Sequence, residues 1–255
     1  MIEQYYFGQG RVFSLAAGAT ANKWRWWGDV SKLSLAAELE KVSHKESYSG
    51  NKGTVREFPV SKTLKVSATL RQIDTQSLAD SLFGAVSTVA GASVTDEVFP
   101  TGITAGDVVK LAYPGVSALV IKDSAGSPVT IDPQYYELDA RFGSVEFVGL
   151  PAAPAPTQPL KASYTYAGYK QVNFLTQAQP VMALRYEGVN LAEGNAPVIV
   201  ELYKMSTDPL KELALITDGT DLAGLEIEAA VLIDSSKSPT GSLGQFGRFL
   251  QVTTP

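Results

Sequence analysis

The chain offers few residues able to do chemistry: one histidine, His44, and no cysteine. Every His/Cys metal site and Cys–His dyad is therefore excluded, and a Ser–His–Asp triad would have to use His44. That histidine stands in residues 43–59, a polar stretch with too few apolar side chains to hold a catalytic geometry rigid. The acids offer more. Glu38 with Glu40, and Glu226 with Glu228, are i,i+2 pairs, and two carboxylates on one surface could act as the acid and nucleophile of a glycosidase. The same spacing is the ordinary look of a strand's solvated face.

Phosphate and cation motifs are incomplete. Gly8-Gln9-Gly10 lacks the third glycine and the βαβ setting of a dinucleotide fingerprint, and no Gly-Lys-Ser or Gly-Lys-Thr loop occurs. The run from Asp218 to Asp221 is too short for an EF-hand and reads as a turn. Trp24, Trp26 and the Tyr135/Tyr136 pair could form a sugar platform, with Asp132 and Asp139 beside the tyrosines; core, turn and edge roles are the alternative. The residues thus assign no catalytic, cofactor or metal position. They describe a β-rich binding or structural protein.

Composition narrows the class further. With 255 residues, 45% hydrophobic and 18% charged, the chain can bury a substantial core and is neither disordered nor membrane-like in composition. No apolar run approaches the ~20 residues of a membrane helix. The start, Met1-Ile-Glu-Gln-Tyr-Tyr-Phe-Gly, lacks the basic and apolar regions of a secretory signal, so export by that route is not expected. A net charge of −5 has the wrong sign for gripping nucleic acid through its phosphates.

The elements that would carry these residues follow from periodicity. Residues 32–42 alternate Leu33, Leu35, Ala37 and Leu39 with Ser34, Ala36, Glu38 and Glu40, predicting a strand with one apolar and one acidic face. Residues 60–71 repeat the division with Leu64, Val66, Ala68 and Leu70 against Thr63, Lys65, Ser67 and Thr69. Residues 43–59 read as a long loop carrying both signs of charge, suited to docking on a copy of the same protein. A helix is expected over residues 74–83, with Asp74 as N-cap, Leu78, Leu82 and Phe83 packing on the sheet, and Gly84 as a left-handed C-cap. The N-terminal end reads as strands at residues 10–15 and 23–30, the second crowded with Trp24, Trp26 and Trp27.

From residue 95 to about 170 the pattern changes to short β-prone runs at 108–111, 118–122, 128–131, 135–138, 144–147 and 160–167, separated by turn signals; the spacing is that of a small inserted β-sandwich. The large-sheet pattern resumes with strands at 181–186, 198–205 and 225–233, a brief helix after Asp208-Pro209, and a last strand at 246–252. The expected organisation is a β core over 1–94 and 171–255, with an inserted module over 95–170. The fold class is mainly β: a sandwich or partial barrel with one short flanking helix.

Several stretches, taken in order, resemble the major tail tube proteins of long-tailed bacteriophages: residues 27–35 (WGDVSKLSL), Glu38-Leu-Glu40, His44-Lys-Glu-Ser-Tyr-Ser-Gly50, Leu70-Arg-Gln72, Leu78-Ala-Asp-Ser-Leu-Phe-Gly84 and, near the end, residues 200–205 (VELYKM), 208–213 (DPLKEL) and 225–234 (LEIEAAVLID). The resemblance covers roughly residues 10–94 and 171–252; the stretch between is of a kind that some relatives carry on the outside of the tube. It implies a virion protein, assembled in the host cytoplasm into stacked homohexameric rings. Its partners would be further copies and the tape measure, tail terminator and distal tail proteins. DNA would pass through the lumen without specific binding, and no membrane or cofactor is implied.

On this reading Glu38, Glu40, Lys65, Glu226 and Glu228 line the lumen. His44, Lys45, Glu46, Tyr48, Asn51, Lys52 and Arg56 sit on a loop reaching the adjacent ring, and Leu78, Leu82 and Phe83 brace the sheet. Six copies at −5 each carry about −30, which would repel DNA phosphates during passage. Two other classes stay open: a carbohydrate-binding adhesin using the tryptophans and tyrosines, and a glycosidase using Glu226 and Glu228.

Overall fold

The structure is a computed structural model and describes residues 5–217, 219 and 222–252. In chain order its strands and helix are β1 (Gly8–Ala16), β2 (Arg25–Trp26), β3 (Val30–Lys45), β4 (Thr54–Leu70), α1 (Thr75–Ser81), β5 (Val86–Val89), β6 (Ala92–Val98), β7 (Val108–Lys110), β8 (Val116–Lys122), β9 (Tyr136–Asp139), β10 (Ser144–Phe147), β11 (Lys161–Tyr166), β12 (Tyr169–Val172), β13 (Val181–Asn190), β14 (Ala196–Thr207), β15 (Leu225–Val231) and β16 (Gly247–Gln251). The protein is mainly β, as the alternating pattern predicts.

Two compact units divide the chain: Met1–Val86 with Val172–Pro255, and Ser87–Gln171. The second unit begins before residue 95, because β6, which starts at Ala92, is one of its strands. Alanine and serine at Ala92 and Ser93 hide its alternation; Val94 alone packs inward.

In the first unit one antiparallel sheet runs β2-β1-β13-β14-β15-β4-β3, with β16 also pairing β14. It curls on itself. Val12 of β1 and Val66 of β4 come from separated parts of the sheet, yet both belong to one buried cluster with Leu70, Leu184, Leu202, Met205 and Leu225. Each strand contributes alternate residues to this cluster. The pattern in β15 is strict, with Leu225, Ile227, Ala229 and Val231 buried and Glu226, Glu228 and Ala230 exposed.

The closure is incomplete between the edges of β1 and β3, where a cavity of about 760 Å3 is bounded by Tyr6, Gly10, Leu33, Leu35, Tyr186 and Phe249. Gly10 and Gly188 face each other across β1 and β13. A Cβ at either would lie within 2.7 Å of the Tyr186 side chain, so the glycines make room for that ring. Burial, with a hydrogen bond to Tyr6, pushes the Tyr186 phenol up to about 12.

The second unit holds two three-stranded sheets, β7-β10-β9 and β6-β11-β8. Phe147, Val145, Ile121, Leu160, Ala162 and Tyr164 from both sheets and their connections form its own core. The expected run at 128–131 supplies a single bridge, Lys122 to Thr130, instead of a strand. Asp123 holds the loop beyond β8: its carboxylate accepts from Val129 N at 2.6 Å and Thr157 N at 3.3 Å, and these bonds keep it below the usual carboxylate range.

Two local expectations are corrected. Residues after Asp208-Pro209 form no helix; Asp208 N donates to Glu228 O and Leu210 N to Ser81 O, so the backbone there is tied to its neighbours instead of to itself. The strand expected over 23–30 shrinks to Arg25–Trp26, with Trp27 buried in the core cluster and Trp24 only half-buried. The turn expected at 218–221 lies largely outside the described residues. Among the described residues no helix is long and apolar enough to cross a membrane.

Candidate functional site

The most distinctive construction is the β3–β4 hairpin, with strands of 16 and 17 residues. The expected 43–59 loop is mostly strand. β3 runs to Lys45 and β4 starts at Thr54, so His44 and Lys45 end β3, Arg56 is within β4, and only Glu46, Tyr48, Asn51 and Lys52 stand in the connection. Pro59 concealed this. A proline usually argues against strand, but here it sits at a bulge, where the register steps from Glu40↔Ser61 to Lys41↔Pro59. Among the described residues no third strand pairs with that stretch of β4, because β15 covers only Leu64 to Leu70.

The register brings the five predicted lumen residues to one face. Glu226 pairs Thr69, which pairs Lys32; Glu228 pairs Ser67, which pairs Ser34; Ala230 pairs Lys65, which pairs Ala36; Glu38 pairs Thr63 and Glu40 pairs Ser61. Directly opposed residues of antiparallel strands share a face, so these side chains form a continuous polar surface over β15, β4 and β3. Ser34 and Ser67 join hydroxyls across it at 2.7 Å.

The face is less acidic than its glutamates suggest. Lys65 Nζ lies 3.0 Å from Glu38, and Lys211 Nζ lies 2.6 Å from Glu228. That hydrogen bond to Glu228 raises the Lys211 pKa above its ordinary value. Among the described residues Glu40 and Glu226 have no ion-pair partner. Sequence reading missed Lys32 and Lys211. Lys32 was legible, since it is six residues from Glu38 and so on the same strand face. Lys211 was not, because it arrives from a separate segment.

Beyond the bulge the hairpin is exposed on both sides and becomes an arm. Val42 pairs Phe58 and His44 pairs Arg56. The Arg56 guanidinium lies 4.9 Å from the Phe58 ring centre, and Lys41 pairs with Glu57 at 3.0 Å. Leu39, Val42, Val55, Phe58 and Val60 are all large, apolar and exposed here. A two-stranded ribbon of this kind is marginally stable in water without cover.

The helix differs from expectation in its packing face. Ser77, Ala79 and Ser81 are its buried residues, while Leu78, Leu82 and Phe83 are only half-buried. Small side chains fill the helix's buried positions, an arrangement hydrophobic spacing alone does not reveal. Asp74 is the N-cap, accepting from Ser77 N at 2.6 Å. Burial works against its charge, but the Ser77 bonds and Arg25 outweigh it and keep the carboxyl below its ordinary value.

Arg25 ties the helix to β2, donating to Asp80 at 2.5 Å and to Ser77 Oγ at 3.0 Å. The left-handed residue at the end is Phe83, at φ 49°, not Gly84. Gly84 is required by space: a Cβ there would stand 1.7 Å from Asn173 O.

The aromatic residues named for a sugar platform are partly taken up in packing and turns, while Glu226 and Glu228 share the exposed face of β15. Trp27 is in the core, and Trp26 lies under Arg11 at 6.0 Å. Tyr136 is buried, and Asp132 caps the turn Pro133–Tyr135. No group of three or more potential metal ligands occurs among the described residues. The chain matches no curated protein. A family model described as "Protein of unknown function UCP028589" matches residues 5–250, and the chain belongs to that family.

Proposed function

We propose that this chain is the structural subunit of a phage tail tube, six copies closing a ring and rings stacking into a hollow tube. The polar face of β15, β4 and β3 lines the channel through which the genome passes. One observation carries the reading: a hairpin whose inner half builds the core, whose outer half has no cover among the described residues of the subunit, and whose polar face runs unbroken over three strands. Self-association supplies the cover. It also occupies the free edge of β3, which would otherwise invite indiscriminate pairing.

The resemblance of residues 10–94 and 171–252 to tail tube proteins supports the same reading. A lumen face with four glutamates against Lys32, Lys65 and Lys211, and with hydroxyls between them, leaves DNA phosphates a surface of net negative charge. Tape measure, tail terminator and distal tail proteins are the further partners this role requires, and the virion is the place. Negative-stain electron microscopy of the concentrated, purified full chain tests the proposal. Rings or tubes with a central channel are expected, and a monodisperse monomer at all concentrations and salts would refute it.

A further inference from the structure

The second unit carries a charge arrangement that its own fold does not use. Its two three-stranded sheets share one core, so each turns its other face outward. Directly opposed residues share a face, and the register gives one row of side chains across each sheet. Across β7-β10-β9 the row is Val108, Glu146 and Glu137; across β6-β11-β8 it is Val98, Lys161 and Lys122. Both rows set a valine on an edge strand beside two like charges, and the sign is reversed between them.

Like charges directly opposed on neighbouring strands weaken the sheet that carries them. This unit does so twice, and among the described residues none of the four groups has an ion-pair partner. The valines are exposed as well, Val98 at 60% and Val108 at 52%. The other charges of the two faces are engaged within the unit: Asp139 lies 3.7 Å from Arg141, Lys110 donates to Ser144 Oγ, and Asp96 N donates to Ser163 Oγ.

We infer that the row of Val98, Lys161 and Lys122 in one copy packs on the row of Val108, Glu146 and Glu137 in another. The valines meet, each lysine faces a glutamate, and the contact offsets both repulsions. Because the rows lie on the two outer sides of one sandwich, the contact is heterologous and repeats from copy to copy. The smaller face, three strands of three to four residues, covers only about 200 Å2, against about 800 Å2 per partner in a stable pair. The contact therefore forms between copies already held together, where their effective concentration is high. It rests on the proposed self-assembly and gives the second unit a part in it.

The chain has no cysteine, so introduced thiols report on this contact alone. Val108 and Val120 are exposed, one on each outer face, and the full-length V108C/V120C chain is treated with a short bis-maleimide that spans the ~10 Å between packed sheets. Assembled protein should give a ladder of dimers, trimers and longer species on denaturing gels. V108C mixed with V120C should stop at dimers, and either variant by itself should give none. Adding E137K/E146K should cut the yield about tenfold by setting lysine against lysine. It should leave the melt of the dispersed subunit unchanged, since one like-charge pair replaces another. Adding K122E/K161E to that chain should restore the ladder. Rings or tubes that form without the ladder, or no recovery in the charge-swapped chain, would overturn the docking and leave the tube reading standing. A ladder without rings or tubes on micrographs would support the docking and sink the tube reading; neither ladder nor assembly would sink both.

Discussion

The inner and outer halves of the β3–β4 hairpin both carry large apolar side chains, but in different environments and, beyond the bulge, on both faces. In the inner half Val66, Ala68 and Leu70 are buried against β13, β14 and β15. In the outer half Leu39, Val42, Phe58 and Val60 are as apolar and lie exposed. Periodicity therefore marks the inner half's core side chains and is silent on the apolar residues beyond the bulge. Where the fold supplies the cover, a side chain contributes to subunit stability; on the proposed reading, the exposed ones contribute to assembly instead.

Paired truncations break or sharpen this comparison most strongly. Leu70→Ala should destabilise the isolated subunit by about 2–5 kcal/mol in urea unfolding, through lost transfer energy and the cavity left behind. Leu39→Ala should change it by less than about 0.5 kcal/mol while raising the threshold for assembly. A large effect of Leu39→Ala on the dispersed subunit would show that the arm is already covered there.

Glu201 provides the next effect in size. It lies opposite both Arg185 and Arg248 on the neighbouring strands, with its side chain 17% exposed, and accepts from both. Glu201→Gln should cost about 2 kcal/mol, since two charge-assisted bonds weaken in a partly dry site. The exposed pair on the polar face is its control: Lys65→Ala should cost about 0–1 kcal/mol despite a 3.0 Å contact, because water and salt screen it.

Asp74 lies between these two in size. Asp74→Ala should cost about 1 kcal/mol at neutral pH by removing the helix cap. Its folded pKa is lowered, so this contribution is present above the ordinary carboxylate value and fades as pH falls through the folded one. The difference between wild type and Asp74→Ala should therefore shrink on acidification, as followed by melts from pH 7 downward.

Much of the framework was legible in the chain. Leu225 to Val231 alternates without a fault, and Ser144–Phe147 was expected with the bounds the structure gives it. What stayed hidden has physical causes. Pro59 mimicked a loop because a bulge on an unpaired edge tolerates what a central strand forbids. Ser77, Ala79 and Ser81 look like poor packing residues, yet they are the helix's buried positions. Of the candidate channel face, period two and strand order supplied the glutamates, but the lysine that neutralises Glu228 comes from another segment and left no periodic trace.

The central claim, that the face joining β15, β4 and β3 lines a channel built by several copies, is tested most directly by an electron cryo-microscopy map of the assembled chain. The account predicts stacked rings whose lumen is bordered by Glu38, Glu40, Glu226 and Glu228, with the arms spanning the junction between rings. A particle whose lumen is lined by other strands, or protein that remains monomeric at every concentration, would contradict it.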